Sequence, residues 1–77
     1  MSYHELKIHP QYFTEVLEGN KTFEIRKNDR EFKVGDIVLL RDFSPVMNMY
    51  SGHTVKKEIT YITDYKQKSD YVVFSFK

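Results

Sequence analysis

Cysteine is absent from the 77 residues of this chain. The chain therefore offers no disulfide, no thiolate metal site and no cysteine nucleophile. The longest uninterrupted apolar run covers residues 37–40, far short of the length that spans a bilayer. A signal peptide would place an apolar segment where this sequence has His4, Glu5 and Lys7. These absences predict an intracellular, cytoplasmic domain with no membrane segment.

A strong charge of one sign is also lacking, since 12 Lys and Arg stand against 11 Asp and Glu, for a net charge of +1. The overall charge therefore does not identify a nucleic-acid binder. Residues 21–33 carry five cations and three anions, a local excess of two. A mixed-sign run of this kind is either a solvated surface or the polar part of a binding site, and charge alone favours neither.

The three histidines, His4, His9 and His53, are scattered and lack the close spacing of a metal site. We expect no metal and no cofactor. His4 lies on the same face of the first predicted strand as Leu6 and Ile8. This position favours a partly buried, hydrogen-bonded histidine.

The length of the chain predicts one domain, over residues 1–77, that buries only about 60–65% of the surface exposed by its unfolded form. Six Phe and six Tyr supply much of the packing. Hydrophobic periodicity predicts a first strand over Tyr3–Ile8, followed by a helix of about two to three turns. Pro10 suits the first turn of that helix, and Gly19 is expected to end it. The apolar face of the helix consists of Phe13, Val16 and Leu17.

Residues 22–28 form the second predicted strand, whose side chains alternate between two faces. Phe23 and Ile25 are expected in the core. The opposite, polar face carries Thr22, Glu24 and Arg26. Glu24 and Arg26 are either a solvated ion pair or the floor of a polar binding site. Lys21 precedes them at the strand entrance, beside the glycine that ends the helix, and this favours a binding site.

Three further strands complete the prediction. The turn Gly35-Asp36 precedes the third strand, which begins at Ile37 and is expected to be buried on both faces for part of its length. Residues 44–52 have no period and predict a long loop. The fourth strand covers residues 54–65, with Val55, Ile59 and Tyr61 in alternation. The fifth covers Tyr71–Phe76, with Val72, Phe74 and Phe76 on one face.

This order of elements predicts an α+β, mainly β fold. We expect a small five-stranded β-barrel with one short helix after the first strand, because closing the sheet removes its exposed edges. The helix would then lie across one opening of the barrel. The loop after Gly19 would lie at the rim, next to the polar face of the second strand.

The pattern Gly19-x-Lys21-x-x-Glu24-x-Arg26 resembles the signature of the ASCH superfamily, whose members are small barrels similar to the PUA domain. The turn Gly35-Asp36, with the buried strand after it, resembles the second landmark of that superfamily. The whole chain is similar to a short bacterial and phage branch, described as domains of unknown function or as candidate RNA-binding proteins. The segments that recur in that branch are His4-x-Leu6-Lys7, residues 24–30 and Tyr50-x-Gly52.

The resemblance implies a cleft between helix and barrel that accepts RNA or a nucleotide-like ligand. Arg26 would bind phosphate or a base edge, Lys21 would supply a positive charge, and Glu24 would accept from an exocyclic amine. Tyr12 or Tyr50 would stack on an unpaired base. Further candidate ligand-binding residues are His4, Lys7, Asn28, Arg30 and Arg41.

Two alternatives stay open. Some ASCH proteins remove the acyl group of acetylated cytidine with a lysine and a threonine on this strand; Lys21 matches the lysine, but Glu24 stands where the threonine would be. In a small amidohydrolase of this kind, Lys21 would act as base and Glu24 would activate water. The second alternative is a protein-interaction module that uses residues 44–52. In the leading interpretation the domain is not an enzyme and has no catalytic residue.

Overall fold

The computed structural model describes residues 2–77. In chain order its elements are β1 (Tyr3–Ile8), α1 (Pro10–Leu17), β2 (Phe23–Lys27), β3 (Ile37–Ser44), β4 (Met49–Thr63) and β5 (Tyr71–Phe76). The five strands form one sheet in the order β1-β3-β4-β5-β2. The predicted mainly β fold, with one short helix after the first strand, is confirmed.

The sheet is mixed, because β1 lies parallel to β3 while the other neighbouring strands are antiparallel. The chain between β1 and β3 contains α1 and β2, which gives the long connection that a parallel pair requires. The long strand β4 joins the two halves of the sheet, pairing with β3 first and with β5 afterwards. Its register shifts between Ile59 and Tyr61. The predicted alternation that groups Tyr61 with Ile59 does not hold, since Ile59 is fully buried and Tyr61 is exposed. This bulge interrupts the alternation of side chains.

The core lies on one face of the sheet and is covered by α1. It consists of Leu6, Ile8, Phe13, Val16, Phe32, Val38, Leu40, Ile59, Val72, Phe74 and Phe76. The predicted core faces of β1 and β5 are confirmed. In β3, Val38 and Leu40 are fully buried, whereas Ile37 and Leu39 are only half-buried. This strand is therefore buried mainly on one face and not on both.

The helix ends at Leu17 and Gly19 forms part of its cap, as expected of a glycine stop. Gly19 has a φ of +79°, and its N–H donates to the carbonyl of Val16 at 3.1 Å while the Asn20 N–H donates to Glu15 at 3.0 Å. These two bonds form a Schellman cap, which requires a residue in the left-handed conformation. Leu17 was expected on the apolar face but is exposed. The reason is that Val16 faces the sheet, and the next residue lies about 100° further round the helix.

The two faces of β2 are the reverse of the prediction. Phe23 and Ile25 were expected in the core but are 42% and 53% exposed, whereas Glu24 is only 6% exposed. The register explains the difference, because Glu24 lies opposite Phe74 of β5 and directly opposite residues point to the same face of a sheet. Phe74 is completely buried. The polar face of β2 therefore points inward.

Residues 44–52 do not form the predicted long loop. β3 continues to Ser44, a four-residue turn follows, and β4 begins at Met49. This β-hairpin arm, residues 41–54, contains a register shift between Arg41 and Phe43. Gly52, with a φ of +94°, lies in the irregular stretch. The sequence lacks a period here because the arm is a bulged hairpin with no core side.

Closure of the sheet into a barrel is not confirmed. Within residues 2–77, β1 and β2 are the two edges of an open sheet. Two arginines reach from the β2 side to the backbone of β1: Arg26 donates to the carbonyl of Lys7, and Arg30 donates to the carbonyl of Glu5 at 2.9 Å. Side-chain donors thus occupy carbonyl groups that a neighbouring strand would otherwise use.

No helix in the part of the chain that the structure describes is both long enough and apolar enough to cross a membrane.

Asp36 connects the turn before β3 to the start of β1. Its Oδ1 accepts from the Ser2 N–H at 2.9 Å, and its Oδ2 accepts from His4 Nε2 at 2.9 Å and from the Lys33 N–H at 3.0 Å. The His4 ring also packs edge-on against Phe32, with 4.8 Å between ring centroids. The expected hydrogen bond of His4 is thus confirmed, and the residue is buried where partial burial was expected. Burial raises the pKa of Asp36, but the hydrogen bonds from His4, Ser2 and Lys33 and the charge of His4 outweigh burial and lower that pKa below 3.8.

Asp36→Asn is expected to lower the free energy of unfolding by about 1–3 kcal/mol, because at least one buried donor loses its acceptor. The measurement is urea denaturation at neutral pH, with an unchanged m value. Asp29→Asn, at an exposed turn, is the matched control and should change stability by less than about 0.5 kcal/mol. Equal effects of the two variants would mean that Asp36 does not hold the fold together.

The contribution of Asp36 should also depend on pH. Since its folded pKa is lower than its unfolded pKa, the unfolded chain takes up the proton first as pH falls. The stabilisation is therefore fully present above the unfolded pKa of about 3.9 and is lost as pH falls through the folded pKa. Denaturation of wild type and Asp36→Asn at about pH 6 and about pH 3 should show the difference shrinking on acidification. A constant difference would contradict this assignment.

Candidate ligand-binding cleft

A cleft of about 530 Å³ opens between β2 and the junction of β1 with α1. We call it the first cleft, and its lining residues are Lys7, Ile8, His9, Tyr12, Lys21, Phe23, Glu24, Ile25 and Arg26. Three of them, Lys21, Glu24 and Arg26, are the charged residues of the pattern Gly19-x-Lys21-x-x-Glu24-x-Arg26. The edge position of β2 explains why both of its faces contribute, since side chains from either face reach the free edge.

The floor of the first cleft is a three-residue ion-pair network. Glu24 pairs through Oε1 with the Lys21 ammonium and through Oε2 with Arg26 Nε at 2.8 Å. The side chain of Glu24 is buried, whereas those of Lys21 and Arg26 are partly exposed. The Lys21 ammonium also donates to the carbonyl of Phe23 at 2.7 Å. The two cations therefore present fixed donor groups to the open side of the cleft.

Aromatic rings flank this floor. The Lys21 Nζ atom lies 4.9 Å from the centroid of the Phe23 ring and 5.7 Å from that of the Tyr12 ring. Both distances are within cation–π range. The His9 ring stacks beside Tyr12, with 6.3 Å between centroids. The first cleft thus combines a charged floor with apolar walls, the usual composition of a small-ligand site.

The local sequence explains the position of Lys21. The Schellman cap turns the chain back at Gly19, and the Lys21 N–H then donates to the carbonyl of Glu15 at 3.1 Å. Asn20 Nδ2 also donates to Glu15 Oε1 at 3.1 Å. The end of α1 therefore holds the strand entrance, and with it Lys21, at the cleft.

A second cleft of about 370 Å³ lies on the other side of Lys7 and Arg26, which line both. Its remaining lining residues are Glu5, Leu6, Arg30, Arg41 and Tyr50. The two adjoining clefts therefore bring together seven of the nine predicted site residues: Lys7, Lys21, Glu24, Arg26, Arg30, Arg41 and Tyr50.

His4 and Asn28 line neither cleft. His4 is buried against Asp36 and Phe32. The Asn28 Oδ1 atom accepts from the Phe32 N–H at 2.9 Å. Asn28 also lines a separate polar cavity of about 620 Å³, between the end of β2 and the turn before β5. The side chains of His4 and Asn28 therefore make contacts within the fold and do not reach either cleft. Among residues 2–77 no group of three or more His, Asp or Glu is arranged to hold a metal ion.

Comparison with known proteins places this chain in a family. A family model described as "Domain of unknown function (DUF3850)" matches residues 3–76. The chain belongs to the DUF3850 family. It is also similar to a protein of Escherichia phage P2 named "Uncharacterized 12.9 kDa protein in GpA 3'region", at 41% identity over 71 residues. This similarity covers 91% of the chain and 63% of the phage protein, so the DUF3850 chain spans less than two thirds of that relative.

Sequence reasoning missed Phe23 and Ile25 of this DUF3850 domain as cleft residues. Their alternation with charged residues predicted a buried face, which would be correct if β2 had neighbours covering that side. Glu24 and Arg26 were the signal against burial of Phe23 and Ile25. An acid and a base that alternate with apolar residues are equally compatible with a strand whose polar face points inward at a cleft. Periodicity alone cannot choose between these registers.

Glu24→Gln is expected to lower the free energy of unfolding by about 1–3 kcal/mol, because the two cations lose the buried charge that holds them together. Chemical denaturation measures the change. Glu5→Gln is the control, since Glu5 pairs with Arg41 at 3.6 Å in an exposed position, where such a pair contributes about 0–1 kcal/mol. Similar small losses for both variants would mean that solvent screens the cleft network.

Proposed function

We propose that this DUF3850 protein is a PUA-like module of the ASCH type that binds RNA, or a nucleotide-like ligand, in the first cleft. The single observation that carries the proposal is the network of Glu24 with Lys21 and Arg26 on the floor of an open cleft with aromatic walls. A nucleotide combines a flat aromatic base with polar edges and a phosphate, and this cleft offers a partner for each.

The energetics of the network support a functional role. Burying a carboxylate requires desolvation, and replacing buried ion pairs by well-packed apolar residues is often neutral or stabilising. The fold alone therefore gives little reason to place three charged side chains at this position. Polar groups held at the floor of a cleft are instead the arrangement that provides specificity for a ligand.

Each group has a role in the proposed complex. Arg26 uses Nε for Glu24 and one terminal nitrogen for the Lys7 carbonyl. A guanidinium carries five N–H donors, so Arg26 retains donors for a phosphate or a base edge. Glu24 oxygens have further lone pairs for an exocyclic amine, and Tyr12 provides a ring on which a base can stack.

The amidohydrolase alternative requires Lys21 to accept a proton. In this structure the Lys21 ammonium donates to the Glu24 carboxylate and to the Phe23 carbonyl, so it acts as a donor. This contact favours binding over hydrolysis. Incubation with acetylated cytidine separates the two, since only the hydrolase alternative predicts release of acetate that is lost in Lys21→Ala.

The interaction-module alternative now involves the tip of the hairpin arm. Val46 is 94% exposed, and Met47 and Met49 beside it are also exposed. This tip lines neither cleft. RNA binding that is unaffected by Val46→Ser would therefore separate the cleft function from any contact made by the tip.

Arg26→Ala is expected to weaken RNA binding by about tenfold or more, because an arginine contact of this kind contributes about 1–3 kcal/mol. Backbone-amide NMR titration of the labelled protein with a pool of short RNAs measures binding and should shift signals of residues 19–30. Binding should weaken with added salt, as expected for phosphate contacts.

Lys68→Ala is the matched control, since it removes one exposed positive charge from the rim of the separate polar cavity. It should leave the titration almost unchanged. Arg26→Lys keeps the positive charge but loses the planar, bidentate donor group of arginine. It serves as a second variant in case Arg26→Ala does not fold. An intact spectrum with no shifts at residues 19–30 would overturn the proposed function.

A further inference from the structure

The second cleft adjoins the first, since Lys7 and Arg26 line both. Together the two clefts are lined by five cationic side chains and two carboxylates. The charge of the combined surface is therefore positive, although the whole chain is nearly neutral.

Arg41 presents a flat cationic face in the second cleft. Its Cζ atom lies 3.8 Å from the centroid of the Tyr50 ring, a distance at which guanidinium and ring stack. Its NH1 group also lies 3.6 Å from Glu5 Oε1. Tyr50 thus covers one face of the Arg41 guanidinium, and the Glu5 carboxylate lies nearby in an exposed position.

The hairpin arm holds Tyr50 in place. Phe43 contacts the Tyr50 ring edge-on, with 5.0 Å between centroids, and the Lys7 Nζ atom lies 4.4 Å from the centroid of Phe43. Lys7 is thus positioned between the arm and the first cleft. Candidate ligand contacts therefore follow one another from the first cleft, past Lys7 and Arg26, to the stacked pair of Arg41 and Tyr50.

We propose that the second cleft is a second nucleotide subsite, so that the ligand is single-stranded RNA of at least two nucleotides. This inference rests on the proposed function of the first cleft. One base occupies the first cleft, the linking phosphate lies at Lys7 and Arg26, and the next base stacks on the face of the Arg41 guanidinium opposite Tyr50. Tyr50 is a positioning residue that supports Arg41 from the other side.

The chemistry selects a single strand. Bases stack on arginine planes and aromatic rings only when they are unpaired and unstacked from their neighbours. In a duplex the faces of the bases are covered, and the two clefts would meet only the phosphate backbone. Arg30, whose NH1 group donates to the Glu5 carbonyl, then lies where it can contact the phosphate that follows the second base.

The experiment compares the affinities of mononucleotides, dinucleotides and a single-stranded hexanucleotide of each base by calorimetry. Wild type should bind dinucleotides about tenfold or more tightly than mononucleotides, since one stacked base contributes about that factor. Arg41→Lys keeps the charge but has no planar face. It should remove this gain in affinity while leaving the salt dependence unchanged.

Three further variants separate stacking from charge and from folding. Tyr50→Phe should behave as wild type, whereas Tyr50→Ala should reduce the dinucleotide gain. Arg30→Ala should make the dependence of log affinity on log salt shallower by about 0.7 for the hexanucleotide, the value for one lost phosphate contact on a single strand. Lys68→Ala again serves as the charge-matched control.

The outcomes distinguish this inference from the proposed function. Loss of mononucleotide binding in Arg26→Ala, with no dinucleotide gain in wild type, would overturn the second subsite and leave the first cleft as a nucleotide site. Equal affinity for the hexanucleotide and for its duplex would also overturn the single-strand inference. If wild type binds none of the probes, the proposed function fails and the second subsite fails with it.

Discussion

The pairing of β2 with β5 fixes the side of the sheet to which the charged motif points. It sets Glu24 opposite Phe74 and Arg26 opposite Val72, which directs both charged side chains toward the interior side of the sheet. A register shifted by one residue would turn Phe23 and Ile25 inward and would expose the whole charged motif. The same pairing therefore decides both what fills the inner side of β2 and whether a polar cleft exists.

The two most buried carboxylates of the domain are satisfied in different ways. Asp36 accepts from two backbone N–H groups and from His4, all of which are fixed by the fold. Glu24 is held by the side chains of Lys21 and Arg26, which are partly exposed. Backbone partners make Asp36 part of the framework. Side-chain partners that reach solvent place the Glu24 network at the surface of the first cleft.

The edges of the sheet link the fold to the site. β1 and β2 are not paired with each other, and Arg26 and Arg30 donate to carbonyls of β1 across the gap. A closed barrel would use these carbonyls in backbone hydrogen bonds and would leave no cleft. The two clefts lie at this open gap, and the arginines that line it also protect an edge strand from pairing with another chain.

The order of the elements, the capped helix and the core faces of β1 and β5 were predictable from the sequence, because they follow from local periodicity and from a glycine that ends a helix. The charged motif at a strand entrance also indicated Lys21, Glu24 and Arg26, whereas Lys7, Arg30, Arg41 and Tyr50 do not follow from these local patterns. The inward face of β2, the hairpin at residues 44–52 and the open sheet were known only from the fold. Each of these depends on pairing between distant segments, and side-chain alternation reports only that a strand has two faces.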